Sequence, residues 1–429
     1  MPSPPRGART HKPCPTFDQG DRRRVALERQ RQRRRDLTGH ARRLAGQGSG
    51  DGAQKVCGQA QDEREQRGAA TGSMDTAEDG AEQQQQQQPR PPSLARLGEG
   101  ASASRCASRA ERSAFYASQL CTPEWVVQPP APAELAAHFL VSPRPEGRRV
   151  LLVASGGETR VRTRSGHQHQ PRFASALPGG CFAKAGSLSA EAYSILDCVF
   201  HQGTQTYYAL DLMCWKGYSL YDCAYEFRRW WLSARLEEIG AMLRAREPSR
   251  NKFPIVAVPA WPADAQGLAA ARSFVFDADA PHPHGRDGVV LSHREGHYEL
   301  GPTDLTLLWK DRECSSYLVD TDERGNEPDT QTATLRFRAS DAACVTRDTP
   351  PAALATMPQS FVDAHQKSLR DGMLLCFEVG AGGLTDLRYT GPAKRRGEPD
   401  AMSKLLFQRA VYEGRPIIFE QLCGQPQAS

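Results

Sequence analysis

The chain of 429 residues has no apolar run long enough to span a membrane, and its start, MPSPPRGARTHKPCP, lacks the apolar segment of a secretory leader. It also has no Cys-x-x-Cys pair. The twelve cysteines are scattered, and some, such as Cys198 and Cys214, fall inside apolar runs, as small buried hydrophobes in a reducing compartment do. Excess charge of one sign is missing from most of the chain. Residues 1–50 hold thirteen Lys and Arg against four Asp and Glu, residues 51–100 hold five against nine, and the remainder carries thirty-seven of each. The net charge of +5 is therefore a basic head and a weakly acidic linker on a neutral body. A neutral body argues against a wide groove that tracks many phosphates and leaves room for a local ligand pocket. These absences predict a soluble, intracellular protein without a membrane anchor.

What is present falls into five stretches. Residues 1–15 are too rich in Pro and Arg to fold alone. Residues 16–45 contain FDQGDRRRVALERQRQRRRDLTGHARRL, in which Asp21 can cap a helix and Val25, Leu27, Leu37, Ala41 and Leu44 make only a thin apolar stripe. Such a helix cannot bury itself; it is either a solvated charged helix or RNA-binding tail, or a segment that folds against an acidic partner. Residues 46–112, with the Gln83–Gln88 tract, read as a disordered linker. Residues 113–320 read as the folded body, and 321–429 as a partly ordered extension in which 339–360 is loop.

The body is organised around YSILDCVFHQGTQTYYALDLMCWKGYSLYDCAYEFRRWW, from Tyr193 to Trp231. Ile195–Phe200 and Tyr207–Met213 flank a polar turn and predict a hairpin of buried strands; a helix follows from Tyr221. Further strands are predicted at Arg149–Ser155, Glu158–Arg164, Ile255–Val258, Asp287–His293, Leu305–Lys310 and Met373–Val379, and helices at Gly267–Phe276 and Met402–Tyr412. The fold class is α+β. Asp197 and Asp211, inside buried strands, fit structural hydrogen bonding better than acid catalysis. His293 and His297 in HREGH have metal-like spacing but sit in strand and turn, so no metal and no cofactor are expected.

Three phrases, SGGETR after a strand, ILDCVF, and DGVVLSH followed by LLWK, resemble the nucleotidyltransferase fold of RNA capping enzymes and DNA ligases, in which two antiparallel sheets form a nucleotide cleft. In that family a lysine in KxDGxR is the nucleophile. Here Val153 stands where the lysine belongs and Ser155 where the aspartate belongs, which leaves no catalytic residue. A cleft without its nucleophile is suited to hold a cap rather than make one.

The wording of VASGGETRVRTRSG, RFASALPGG, YSILDC and TYYALDLMCWKGYSLYDCAYEFRRWW, between Phe115 and Lys310, resembles the snurportins, as does the basic head. The resemblance implies an importin-β-binding helix over residues 16–45, with Arg22, Arg23, Arg24, Arg33, Arg34, Arg35, Arg42 and Arg43 as its basic positions. It implies a cap-binding cleft in which a methylated guanine stacks on Trp309, Trp125 lies beside the methylated amine, Arg164 faces the phosphates and Arg149 is close by. Pro123 replaces the family's serine and loses any donated N–H. The implied partners are importin β and the trimethylguanosine cap of small nuclear RNA. The implied locations are nucleus and cytoplasm, in an adaptor that is not an enzyme. The segment with which the family engages its exportin is not seen. The alternative reading is an RNA guanylyltransferase or a relic of one.

Overall fold

A computed structural model of the chain describes residues 9–10, 17–33, 37–46, 113, 115–181, 192–277, 283–315, 317–321, 325–366, 368–393 and 397–424. In chain order the strands are β1 (Arg9–Thr10), β2 (Cys121–Trp125), β3 (Phe139–Pro145), β4 (Arg148–Ser155), β5 (Glu158–Thr163), β6 (Ser194–His201), β7 (Thr206–Trp215), β8 (Tyr218–Ser219) and β9 (Ile255–Ala257). They continue as β10 (Trp261–Pro262), β11 (Arg286–His293), β12 (Gly301–Trp309), β13 (Thr332–Arg338), β14 (Ala343–Val345), β15 (Ala353–Thr356), β16 (Leu374–Val379) and β17 (Leu387–Pro392). The helices are α1 (Gln19–Gln32), α2 (Thr38–Gly46), α3 (Pro132–His138), α4 (Tyr225–Glu238), α5 (Gly240–Arg244), α6 (Ala265–Ser273), α7 (Gln359–Ala364), α8 (Met402–Tyr412) and α9 (Phe419–Leu422).

The fold is α+β, with mostly antiparallel sheets. The first body sheet runs β5-β4-β6-β7-β8, and β9 joins β7 in parallel. β6 and β7 read as continuous apolar runs because both their faces are covered. Leu196, Cys198 and Leu212 pack under Leu232, Leu236 and Leu243 of the α4–α5 region, while Ile195 and Met213 face Tyr221 and Tyr298 on the other side. The helix begins at Tyr225, later than expected, because Cys223 N–H bonds Leu220 O and closes a turn first.

The second body sheet runs β10-β3-β11-β12-β2, and β2 lies parallel to β12. Gly288, in the DGVV phrase, sits at φ +93 at a bulge in the β11–β3 register. A Cβ there would meet the Trp309 carbonyl at 2.3 Å, so only glycine lets the two strands approach.

A third sheet, β1-β15-β14-β13-β16-β17, comes almost wholly from beyond Thr321 and corrects the expectation of loop over 339–360. The side chains of that stretch are small, yet Cys344 and Ala355 are wholly buried against Phe337, Phe377 and Leu405. Short strands of small residues form a sheet when neighbours on both sides supply the bulk, and local pattern does not reveal that. The two sheets expected of the cleft are both present, and this third lies beyond them.

The basic head also differs. It is two helices, α1 and α2, capped at Asp18 rather than Asp21, and both lie on the body. Arg22 pairs with Asp304 at 2.6 Å and Glu124 at 3.4 Å, and Arg23 pairs with Glu134 at 3.3 Å. Ala41, Leu44 and Ala45 of α2 enter the core with Tyr116 and Tyr221. The acidic partner that such a helix needs is supplied in cis. The expected linker over 46–112 and the terminal 1–15 fall almost entirely outside the described residues. Among the described residues no helix is long and apolar enough to cross a membrane.

Candidate functional site

The two body sheets face each other across a cavity of about 50 Å³, space for a few waters in this closed arrangement. Its lining is unlike an ordinary core. Pro123, Ser142 and Arg144 come from β2 and β3, Ser292 and Thr306 from β11 and β12 of the same sheet with Tyr298 between them, and Arg149, Asp197 and Asp211 from β4, β6 and β7 opposite.

Ion pairs make the floor. Arg149 grips Asp197 with two bonds, Nε to Oδ1 at 2.9 Å and a terminal N–H to Oδ2 at 2.6 Å, and Tyr298 donates to the same carboxylate at 2.7 Å. Arg228 forks onto Asp211 at 3.0 and 2.9 Å. Burial pulls the Arg149 pKa down, but the Asp197 charge outweighs it and holds the pKa above the usual arginine value. Such forked bonds are what make a buried pair tolerable, since desolvation of each charge costs several kcal/mol, roughly, without them. Asp197 and Asp211 are therefore structural acceptors.

A second knot stands at the cleft edge. Asp287 pairs with Arg144 and takes a 2.8 Å hydrogen bond from Lys310 Nζ, which also donates to Ser315 Oγ at 3.0 Å and Tyr317 O at 3.2 Å. All three lysine donors are used. Burial and the like charge of Arg144 press the Lys310 pKa below its ordinary value, with a smaller opposing effect from Cys314. Of the two residues the sequence offered where a nucleophile and its aspartate were expected, Val153 is buried opposite Ile195, and Ser155 Oγ donates to Ala45 O at 3.0 Å.

The expected cap residues are not brought together as a set. Pro123 and Arg149 line the cavity. Trp125, half-buried at the end of β2, donates its backbone N–H to Ser403 Oγ at 3.2 Å and rests on Phe407 of α8 at 4.8 Å, with Lys310 Nζ 5.8 Å from the ring centre. Arg164, just past β5, is exposed; local desolvation and the like charges of Arg149 and Arg347 lower its pKa. Trp309 departs from expectation. On β12 the side chains alternate, so Thr306 faces the cavity while Leu305, Leu307 and Trp309 are buried, Leu307 and Trp309 among Phe139, Val141 and Leu291. The indole is wholly buried and its Nε1–H donates to Ile417 O at 2.8 Å.

Of the eight arginines of the head, Arg22 and Arg23 are held on the body, and Arg24, Arg33, Arg42 and Arg43 are exposed. Arg34 and Arg35 lie outside the described residues. Sequence reading missed Arg144, Asp287, Lys310 and Arg347. Asp287 and Lys310 lie in or at the end of strands recognised only by their apolar pattern, Arg144 lies in a strand, Phe139–Pro145, that the sequence reading did not predict, and Arg347 lies in the C-terminal region, for which no local signal exists.

Residues 119–310 match the family model described as Snurportin1, m3G cap-binding domain. Over that stretch the body is similar to a snurportin cap-binding domain. The match ends at Lys310, so the third sheet and the helical head lie outside it. Among solved structures the chain is similar to a mycobacterial DNA ligase D complexed with ATP and MES, at 14% identity over 66% of this chain and 97% of that one, with a TM-score of 0.32. It is also similar to a Lig E DNA ligase, at 12% identity over 64% and 99%, with a TM-score of 0.27. Every acid of the cleft floor and edge named above already holds an arginine or lysine, and Lys310 has no N–H left to give.

Proposed function

We propose that this chain is a nuclear import adaptor that holds the trimethylguanosine cap of small nuclear RNA in the body and presents the arginine-rich head to importin β. The observation that carries the reading is the snurportin domain match over the cleft, together with valine where a capping enzyme needs its lysine. A trimethylated guanine is cationic and stacks well on an electron-rich indole. Trp125, at the cleft edge and only half-buried, is the indole available for this role; α8 has to shift from its face as the cap enters. Trp309 would serve only if the C-terminal segment around Ile417 withdrew.

Receptor binding on this reading begins at the exposed Arg24, Arg33, Arg42 and Arg43 and then competes with Glu124, Asp304 and Glu134 for Arg22 and Arg23. The protein then shuttles between cytoplasm and nucleus. Tryptophan fluorescence titration with trimethylated and monomethylated cap dinucleotides tests the body: quenching that favours the trimethyl form is expected, and no quenching by either overturns cap binding. Incubation with labelled GTP and magnesium tests the enzymatic alternative, and a covalent protein–GMP adduct would sink the adaptor reading.

A further inference from the structure

α1 grips the body at both of its ends, and each grip falls beside the cleft. At the first turn Gln19 is wholly buried. Its side-chain amide donates to Trp125 O at 2.7 Å and accepts from the Val127 and Gln128 N–H groups at 2.9 and 2.8 Å, while its own backbone N–H donates to Gln128 Oε1 at 3.1 Å. About three turns later, on the same face of the helix, Gln30 donates to Glu295 O at 2.8 Å and accepts from the His297 N–H at 2.7 Å. One amide therefore closes on the exit of β2, which carries Trp125. The other closes on the turn before Tyr298, whose hydroxyl holds Asp197 of the cleft floor.

Between the two grips, Arg22 ties three parts of the fold together. It pairs with Asp304 of β12 at 2.6 Å, Glu124 of β2 at 3.4 Å and Asp348, beyond β14 of the third sheet, at 3.7 Å. Asp348 also accepts the N–H of Met402, the first residue of α8, at 2.7 Å. α8 in turn covers Trp125: Ser403 Oγ accepts the Trp125 N–H, and Phe407 lies against the ring. Phe17, just before α1, packs on the core of the third sheet. The head thus fastens the C-terminal unit to the strand that carries the indole. With Arg22 withdrawn, Glu124, Asp304 and Asp348 would be left around a common point without that cation, and their mutual repulsion would loosen the seat of α8.

We propose that α1 is a strap that holds α8 down on Trp125, and that lifting the strap opens the cap site, so that receptor and cap bind with positive coupling. The strap deepens the adaptor reading and rests on it for the identity of both ligands. It makes the head an autoinhibitory element for cap entry as well as a receptor ligand. Linkage makes the effect reciprocal: a cap that displaces α8 loosens Arg22 for the receptor.

The test uses the full chain with Gln19→Ala and Gln30→Ala combined, which weakens the strap while every arginine stays. Affinity for trimethylguanosine cap dinucleotide should rise about fivefold in this variant, an ordinary size for coupling between two sites. Saturating importin β should raise the affinity of the parent by a similar factor and add little in the variant. Amide hydrogen exchange of residues 402–412 reads α8 without any ligand and should quicken in the variant. Gln30→Ala alone leaves the Trp125 strand untouched and should give the same effects at smaller size, so it serves if the double variant fails to fold. Cap affinity that stays unchanged or falls would overturn the strap, a fall making α1 a support of the Trp125 platform; unaltered exchange in α8 would overturn it too. Faster exchange in a protein that binds no cap would keep the strap and overturn the cap reading. Tighter cap binding by the variant, in a protein that never binds importin β, would keep the strap and overturn the receptor reading.

Discussion

The Trp309 indole donates a 2.8 Å hydrogen bond to the backbone carbonyl of Ile417, across 108 residues of chain. That bond fastens the C-terminal segment to the second body sheet, where Phe419 and Leu422 close the same core. Trp309→Ala should therefore act on stability, costing about 3–5 kcal/mol as a large buried aromatic does. Chemical denaturation would measure it. Cap affinity of the folded fraction should remain near that of the parent; a selective loss of cap binding with unchanged stability would place the ligand on Trp309 after all.

Trp125 should behave in the opposite way. Its ring is half-buried beside Lys310, so Trp125→Ala should weaken cap binding by about 1–3 kcal/mol, the usual loss of one stacking platform. Stability should fall less than for the Trp309 variant. Paired titration and melting curves of the two variants separate the roles.

Asp197 holds Arg149 and accepts from Tyr298 in a site closed to solvent. Asp197→Asn should leave a buried guanidinium without its counter-charge and destabilise the body by about 3–5 kcal/mol. Urea midpoints check this. If the midpoint did not move, the pair would contribute nothing beyond what water gives Arg149.

Glu124 carries a pH dependence. Burial pushes its carboxyl up to about 8 from an ordinary 4.5, against the pull of Arg22. The folded state thus keeps a proton that the unfolded state has released. The stability this gives is complete below about pH 4.5, declines as pH rises, and is lost above about 8. Glu124→Gln should flatten that decline, and its stability relative to the parent should improve steadily from pH 5 to 8, approximately the window between the two pKa values. Melting temperatures across that range are the readout.

Arg22 is held by Asp304 at 2.6 Å, and importin β on the adaptor reading has to take it away. Asp304→Asn should strengthen receptor binding about two- to fivefold, the range of a partly exposed ion pair, without altering the isolated cleft. Unchanged receptor binding would mean that α1 stays docked on the body in the complex.

The sequence by itself determined much of the strand and helix inventory of the body, though not β2, β3 or α3. The apolar runs at Ile195–Phe200 and Tyr207–Met213, the helix at Met402–Tyr412 and the valine in place of a nucleophilic lysine are all local facts, and local facts are what periodicity and motif wording carry. Tertiary structure alone decided which side of β12 meets the cleft, because a two-residue alternation has two possible faces and only packing against Phe139, Leu291 and Ile417 selects one for Trp309. It also decided that small-residue segments near 343–356 pair as strands, and that Arg22 and Arg23 meet acids of their own chain. Each is a contact between distant segments, fixed by burial and charge that no local pattern encodes.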